Sequence, residues 1–194
     1  MRKILFRLSF IISFVFSSAV FAITTEIGVA YSYSKKTFNE KNYYQSDSKS
    51  ASISLYLFEK FALELSYADQ FYESQESDTS STRVVQQSTR ITGSDLTYVM
   101  SLPFTFGKAA SVLQPYIKGG AAYIAKKKQI KYVNVDVIDI PTKDGFAPSY
   151  GCGLKLKLTE KFSVKLGYDV WRTPLDDGTT TDDTSFKAGV SWYL

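Results

Sequence analysis

Apolar residues recur at every second position in eight separate stretches of the chain, and this alternation restricts the possible folds more than any other feature. A period of two places successive side chains on opposite faces of a β-strand, so each stretch predicts a strand with one apolar face. The pattern is clear where Phe162, Val164, Leu166, Tyr168 and Val170 alternate with small or polar residues. Each stretch covers about 9–12 residues, which is the length of a tilted transmembrane strand.

The face opposite the apolar one carries mainly Gly, Ala and Ser, with a few charged residues. The solvent face of a soluble sheet is normally rich in long charged side chains. The interior of an eight-stranded barrel is only just wide enough for side chains to fill, so small residues suit it. The apolar face would then contact lipid, and closure would leave no unpaired strand edge in hydrocarbon. The sequence therefore predicts an all-β fold, an eight-stranded antiparallel up-and-down transmembrane β-barrel.

The connections between the predicted strands alternate in length, and this distinguishes the two ends of the barrel. Residues 58–61 and 158–162 predict tight hairpins, and residues 103–114 predict a longer link on the same side. Long polar loops are predicted on the other side, at residues 35–47, 72–87, 126–145 and 172–183. Aromatic residues gather toward both ends of the strands, as in the interfacial girdles of outer-membrane barrels.

Two places depart from the regular pattern. Asp69 lies in the lipid-facing phase of its strand, which a barrel tolerates only at the outer interface. The apolar phase shifts near residues 93–95, which predicts either a β-bulge or a strand that projects beyond the membrane.

The N-terminus has the regions of a secretory signal peptide. Arg2, Lys3 and Arg7 precede an apolar stretch, and Val20 and Ala22 provide small residues at the expected cleavage spacing. The apolar run of about 15 residues is shorter than the roughly 20 that a spanning helix needs. We therefore expect residues 1–22 to be a cleaved signal peptide and residues 23–194 to form one barrel domain. Of the 23 basic residues, 20 then remain against 19 acidic ones.

The chain contains no His and one Cys, and this composition excludes several classes of site. Without His there is no Ser-His-Asp or Cys-His catalysis and no His-bearing metal site. One Cys allows no internal disulfide and no Cys-rich zinc site, and Cys152 in the lipid-facing phase acts as a small apolar residue. No phosphate-binding loop or nucleic-acid-binding pattern stands out. We expect no enzymatic activity, no cofactor and no nucleic-acid partner.

Seven charged residues fall in the inward phase and form a candidate site. They are Glu26, Glu64, Lys118, Lys155, Lys165, Asp169 and Lys187. Buried charges are costly unless they are paired and hydrogen-bonded. Two hypotheses follow: a static plug that fills the barrel, or a gate whose ion pairs change partners to open a narrow conduit. The narrow interior argues against a general diffusion porin in either case.

Two of the predicted loops carry further candidates. The loop at residues 126–145 begins with a basic group that would bind lipopolysaccharide phosphates at the outer leaflet. This group is Lys126, Lys127, Lys128 and Lys131. The Val/Ile-rich run that follows would extend the sheet above the membrane and offer an edge to a partner. The last loop contains two acidic pairs, Asp176-Asp177 and Asp182-Asp183, which predict either a Ca²⁺ site or a solvated loop.

The chain resembles the small outer-membrane β-barrels of the OmpA/OmpX and opacity-protein type over nearly all of its length after the signal peptide. The resemblance rests on the eight alternating strands, LQPYIKGGAAY at residues 113–123 and FKAGVSWYL at residues 186–194. It implies biogenesis through periplasmic chaperones and the barrel-assembly machinery, which reads alternating apolar residues in the last strand. These would be Phe186, Val190, Trp192 and Leu194; the family usually ends in Phe, whereas this chain ends in Leu.

The resemblance also limits the functions that we expect. Lipid A-modifying barrels of this type use His with Ser and an acid, and this chain has no His. We expect a monomeric outer-membrane barrel of a Gram-negative bacterium, in contact with lipopolysaccharide, with a structural or adhesive role through its surface loops and a possible extracellular protein ligand. A narrow channel through the barrel is the alternative. A soluble secreted barrel that binds a ligand inside is a third hypothesis.

Overall fold

The computed structural model describes residues 24–39, 41–77, 82–100, 113–132, 137–174 and 180–194. The predicted signal peptide therefore lies outside the described residues, as do residues 103–112 of the link predicted at residues 103–114. Within the described part of the chain, no helix is long and apolar enough to cross a membrane.

The described residues form nine antiparallel strands. In chain order they are β1 (Thr25–Asn39), β2 (Asn42–Phe58), β3 (Phe61–Ser77), β4 (Thr82–Val99), β5 (Leu113–Tyr132), β6 (Ile138–Ile140), β7 (Gly145–Lys157), β8 (Phe162–Pro174) and β9 (Thr180–Tyr193). Eight of them pair in the ring β1-β2-β3-β4-β5-β7-β8-β9, which closes where β9 pairs with β1. The three-residue β6 pairs with β5 beyond the part that β7 covers. The predicted eight-stranded up-and-down barrel is confirmed.

The alternation sets which side chains point into the barrel. Large apolar residues such as Val29, Leu65 and Leu96 are exposed on the outside, whereas Glu26 and Lys155 are almost fully buried inside. Small inward residues make room for the larger ones. A Cβ on Gly153 would lie 2.5 Å from the Tyr116 hydroxyl, and one on Gly167 would lie 2.6 Å from it. The Gly-rich inner face therefore accommodates the ring of Tyr116.

The strands are 13–20 residues long around the ring, longer than the sequence pattern predicts. Most of the residues predicted as long loops belong to strands: β1 and β2 stay paired up to Asn39 and Asn42, and β3 and β4 up to Ser77 and Thr82. The loop prediction was therefore wrong over these segments. Outside a bilayer neither face must be apolar, so polar residues continue the ladder of backbone hydrogen bonds without any alternation to reveal it.

The predicted bulge at residues 93–95 is also absent. The register between β3 and β4 runs without interruption from Phe61 opposite Tyr98 to Ser77 opposite Thr82. Strand β4 pairs with β5 up to Tyr132, whereas β7 pairs with β5 only up to Ile124, so β4 projects beyond β7. The apparent phase shift arises because Ile91 points inward and is 2% exposed. Because the barrel interior is apolar at this level, Ile91 is an apolar residue on the inward face, and the alternation of β4 continues unchanged.

The interior has two parts along the barrel axis. Toward the end with the tight hairpins, which we call the short-turn end, the inward residues are charged. Toward the other end, the long-hairpin end, six buried residues form an apolar layer: Ala68, Ile91, Ala122, Ile124, Ala147 and Trp171. Register connects them across β3, β4 and β5, because Ala68 lies opposite Ile91 and Ile91 opposite Ile124.

The seam between β1 and β9 is the shortest in the eight-stranded ring. It contains six paired positions, from Glu26 opposite Tyr193 to Tyr31 opposite Ala188. Beyond Tyr31, residues 32–39 of β1 pair only with β2 among the described strands. We call this stretch the free edge.

Candidate functional site

The inward charges form one connected group near the short-turn end. Lys155 Nζ lies 2.6 Å from Glu26 Oε2, and the Tyr56 hydroxyl donates a hydrogen bond of 2.6 Å to the same oxygen. Lys155 also donates a hydrogen bond of 2.6 Å to the Tyr56 hydroxyl. Strands β1, β2 and β7 therefore meet at one buried carboxylate.

A second lysine connects this carboxylate to the next one along the axis. Lys165 Nζ lies 3.1 Å from Glu64 Oε2 and 3.9 Å from Glu26 Oε1. Ser54 donates a hydrogen bond of 3.2 Å to Glu64. Lys118 Nζ of β5 lies 3.0 Å from Glu64 Oε1. Side chains of three other strands, β2, β5 and β8, therefore contact Glu64.

The group continues through Lys118 toward the middle of the barrel. Lys118 Nζ also lies 3.5 Å from Asp95 and 3.1 Å from Asp169. Lys187 Nζ then lies 3.0 Å from the second oxygen of Asp169. We call the eight charged residues the charged ladder: Glu26, Glu64, Asp95, Lys118, Lys155, Lys165, Asp169 and Lys187. Four lysines face four carboxylates, so the ladder is electrically neutral.

The structure brings together all seven inward charges that the sequence identifies, and it adds Asp95, Tyr56 and Ser149. Ser149 donates a hydrogen bond to Asp95. Asp95 is 3% exposed. Its inward phase follows from Leu96 and Tyr98 on the outside, so the sequence contained a signal for Asp95 that the bulge interpretation obscured.

Little free space remains among these side chains. A cavity of about 50 Å³ lies beside Ser52, Tyr116, Lys118 and Lys165. This volume holds a few water molecules at most. The apolar layer begins directly beyond the charged ladder, toward the long hairpins. At this boundary Lys187 Nζ lies 4.9 Å from the centroid of the Trp171 ring. Around the charged ladder and the apolar layer, the described residues therefore leave little free space, with ion pairs in one part and apolar side chains in the other.

The sequence itself identifies the group of proteins to which this barrel is related. A profile of the outer membrane protein beta-barrel domain matches residues 8–193. The chain belongs to this outer-membrane β-barrel family. It is accordingly a protein of the cell outer membrane, and the soluble alternative is wrong.

Solved structures of outer-membrane barrels have the same fold. The Neisserial surface protein NspA has a TM-score of 0.57 at 10% identity, covering 89% of this chain and 97% of its own. The N-terminal barrel of Pseudomonas aeruginosa OprF has a TM-score of 0.52 at 21% identity, covering 88% and 97%. Ail of Yersinia pestis, in complex with the heparin analogue sucrose octasulfate, has a TM-score of 0.51 at 14% identity, covering 89% and 99%. No curated protein matches the sequence.

In this outer-membrane barrel the four lysines of the predicted lipopolysaccharide loop lie on a strand rather than in a loop. Lys126, Lys127, Lys128 and Lys131 belong to β5, which ends at Tyr132. Alternation points the even-numbered ones inward and the odd-numbered ones outward. Lys126 Nζ lies 2.7 Å from Asp183 of β9, across the interior. A single basic surface made of all four is therefore absent.

The acidic pairs of the last predicted loop are only partly described. Asp176 and Asp177 lie outside the described residues. Asp183 pairs with Lys126, and the exposed Asp182 lies 3.2 Å from Arg172 Nε. Among the described residues no group of three or more His, Cys, Asp or Glu side chains is arranged to hold a metal ion.

The residues of the predicted assembly signal share the outer face of β9. Phe186, Val190, Trp192 and Leu194 are all exposed to the lipid side. Trp192 packs against Phe162 of β8 with 6.0 Å between ring centroids, and the backbone N–H of Leu194 donates a hydrogen bond of 2.8 Å to Thr25. The last strand thus joins both neighbours at the short-turn end.

Proposed function

We propose that the protein is a non-enzymatic surface-interaction protein, and that it acts through the sheet that its long hairpins build above the outer membrane. The observation that carries the proposal is the strand pairing that continues beyond the lipid-facing region. It reaches Asn39 and Asn42 with one register shift between Thr37 and Asn39, and it reaches Ser77 and Thr82 without a shift. Paired strands hold side chains in fixed positions, which a binding surface needs.

Polar contacts across the strands stiffen this extension. The Tyr43 hydroxyl donates a hydrogen bond of 2.5 Å to Glu73, and the Gln86 side-chain amide donates one of 2.6 Å to the other oxygen of Glu73. These hydrogen bonds lower the pKa of Glu73, and the same contact with Glu73 raises the pKa of Tyr43. Side-chain hydrogen bonds therefore connect β2, β3 and β4 outside the bilayer.

The free edge of β1 is the part of this sheet most suited to a partner. Residues 32–39 lack a neighbour on the β9 side among the described strands, so their backbone groups are available to an added strand. Lys35 and Lys36 are exposed, and Phe38 is 66% exposed. An extended, acidic segment of a partner protein fits this edge, because it would pair with the backbone and with both lysines.

The fold neighbours offer limited support. Ail, which resembles this chain in fold, is named the attachment invasion locus protein. An attachment role is therefore compatible with a barrel of this size. The acidic partner segment proposed for this chain is inferred from the free edge alone.

Shortening one hairpin tests the proposal. Replacing residues 36–44 with Asn-Gly leaves Lys35 opposite Gln45 as the last pair and favours a two-residue turn. We expect cells that display this variant to lose attachment to surfaces coated with extracellular-matrix protein. The matched control replaces residues 74–85 with Asn-Gly below the β3–β4 tip, which keeps the free edge, and we expect attachment to persist. Equal attachment by cells with and without the β1–β2 hairpin contradicts the proposal.

The channel hypothesis receives no support from the interior. The charged ladder leaves about 50 Å³ of free space, and the apolar layer lies directly beyond it. We propose that the ladder is a static plug that stabilises the barrel. Conductance measurements on variants test this assignment.

We also propose that residues 1–22 are removed on export and that the monomeric barrel of residues 23–194 is inserted by chaperones and the assembly machinery, which reads the outer face of β9. The mass of the protein purified from outer membranes tests the first point, because cleavage after Ala22 predicts a chain that begins at Ile23. A mass that includes residues 1–22 contradicts it.

A further inference from the structure

Four charged side chains point away from the barrel on neighbouring strands, and neither the charged ladder nor the free edge accounts for them. We call them the charged arc: Lys49, Asp69, Arg90 and Lys127. Lys49 lies opposite Asp69, and Asp69 lies opposite Arg90, so these three occupy one row across β2, β3 and β4. Lys127 of β5 lies opposite Ser88, two residues from Arg90. All four side chains are exposed.

The position of the charged arc along the strands corresponds to the lipid headgroups. Tyr67 precedes Asp69 by two residues on the same face of β3, and Tyr123 precedes Lys127 by four on the same face of β5. Both tyrosines are exposed on the lipid side, where aromatic residues mark the membrane interface. Two residues span about 7 Å along a strand. Exposed Phe71 follows Asp69 by two residues on the same face, so the charged arc lies at the level of the aromatic girdle.

The cations of the charged arc have no salt-bridge partner among the described residues. Within the described chain, Lys49, Arg90 and Lys127 form no salt bridge, although Asp69 lies in the row between two of them. Outward Arg172, by contrast, is paired with Asp182 at 3.2 Å. Unpaired cations at the level of the headgroups attract anionic lipid.

We propose that the charged arc binds the phosphate groups of lipopolysaccharide in the outer leaflet. Neighbouring strands are about 4.8 Å apart, so the backbones at Lys49 and Arg90 are about 10 Å apart. This separation suits a headgroup with two phosphates, one on each side of Asp69, because the carboxylate repels a phosphate placed centrally. Lys127, on the far side of Arg90, adds a second cation at one of these positions.

Binding of defined lipids tests the inference. The probe is diphosphoryl lipid A, titrated into the folded barrel in phosphatidylcholine nanodiscs and followed by native mass spectrometry. We expect the triple variant Lys49→Gln, Arg90→Gln, Lys127→Gln to bind at least about tenfold more weakly, since each cation near a membrane surface contributes about 1 kcal/mol. Monophosphoryl lipid A should bind the original protein more weakly than the diphosphoryl form, and inorganic phosphate at the same concentration should not compete.

Two further variants separate this effect from general changes in charge or folding. Lys60→Gln, Lys143→Gln, Lys161→Gln removes the same charge elsewhere, and we expect its affinity for diphosphoryl lipid A to be unchanged. Asp69→Asn removes the repelling carboxylate, and we expect it to bind about two- to threefold more tightly. Unchanged affinity of the triple variant overturns the inference, and so does equal or weaker binding by Asp69→Asn. Competition by inorganic phosphate also overturns it, because the site would then recognise free phosphate rather than lipid.

Discussion

The two parts of the barrel interior are both filled with side chains, but one part is charged and the other is apolar. Near the short-turn end, four lysines and four carboxylates fill the space as the charged ladder. Near the long-hairpin end, the apolar layer fills it with Ile91, Ile124, Trp171 and three alanines. The charged ladder stabilises the barrel only while every charge is paired. The stability of the apolar layer depends instead on how completely its side chains occupy the available volume. The comparison predicts that the two parts respond differently to mutation.

The largest effect is expected from removing one carboxylate of the charged ladder. Glu64→Ala leaves Lys118 and Lys165 without their shared partner, and we expect the free energy of unfolding to fall by about 3–5 kcal/mol. Urea unfolding in phospholipid vesicles, followed by heat-modifiable gel mobility, measures this. Glu160→Ala at the exposed short turn is the control, and a Glu64→Ala variant as stable as this control would show that the ladder does not stabilise the barrel.

A somewhat smaller effect is expected in the apolar layer. Ile124→Ala removes a side chain that is 1% exposed and leaves a cavity, so we expect a loss of about 2–5 kcal/mol in the same assay. The loss should be the same at low and high pH, because neither isoleucine nor alanine has a side chain that titrates. A strong dependence of the Ile124→Ala effect on pH would mean that the two parts of the interior are not independent.

The extension outside the membrane is expected to respond only weakly. The pKa of Glu73 is lowered by hydrogen bonds from Tyr43 and Gln86, so its contribution is present above the ordinary Glu pKa and is lost as pH falls through the lowered value. Because Glu73 is only partly buried and lies outside the bilayer, we expect less than about 1 kcal/mol. Hydrogen exchange of the β2–β3 amides at about pH 6 and about pH 3, on either side of the ordinary Glu pKa, measures it. Tyr43→Phe should reduce the pH effect, and an equal effect in this variant contradicts the assignment.

The smallest effect is expected in conductance. Removing the side chains of Ile91, Ile124 and Trp171 by alanine substitution opens the apolar layer, but the charged ladder still fills the rest of the barrel. We expect planar bilayers that contain either the original protein or this triple variant to carry no ionic current. Discrete current steps in the original protein would identify a channel and would contradict the static plug.

The comparison also explains which features a sequence reveals. Alternation separates inward from outward residues, so it located Glu26, Glu64 and the inward lysines correctly. It contains no information on the height of a residue in the barrel, which depends on how neighbouring strands are shifted. The change from charged to apolar filling at Ile91 therefore looked like an irregularity of one strand.

The limits of the strands could not be read from alternation for a related reason. In lipid, one face of each strand must be apolar, and the pattern is strong. Above the membrane both faces of β1 and β2 meet water, so residues such as Tyr43 and Gln45 pair without any periodic signal. The hydrogen bonds of Glu73 join residues 30 positions apart in one case and 13 in the other, and such partners depend on register that the sequence does not state.

The short seam between β1 and β9 has a consequence for how the barrel forms. It has six paired positions, whereas β3 and β4 share 17, and it joins residues as far apart as Glu26 and Tyr193. Closing the longest loop in the chain costs the most conformational entropy and is compensated here by the shortest seam of the ring. We therefore expect the other hairpins to assemble first, ring closure between the first and last strands to be the final step of folding, and unfolding to begin at this seam.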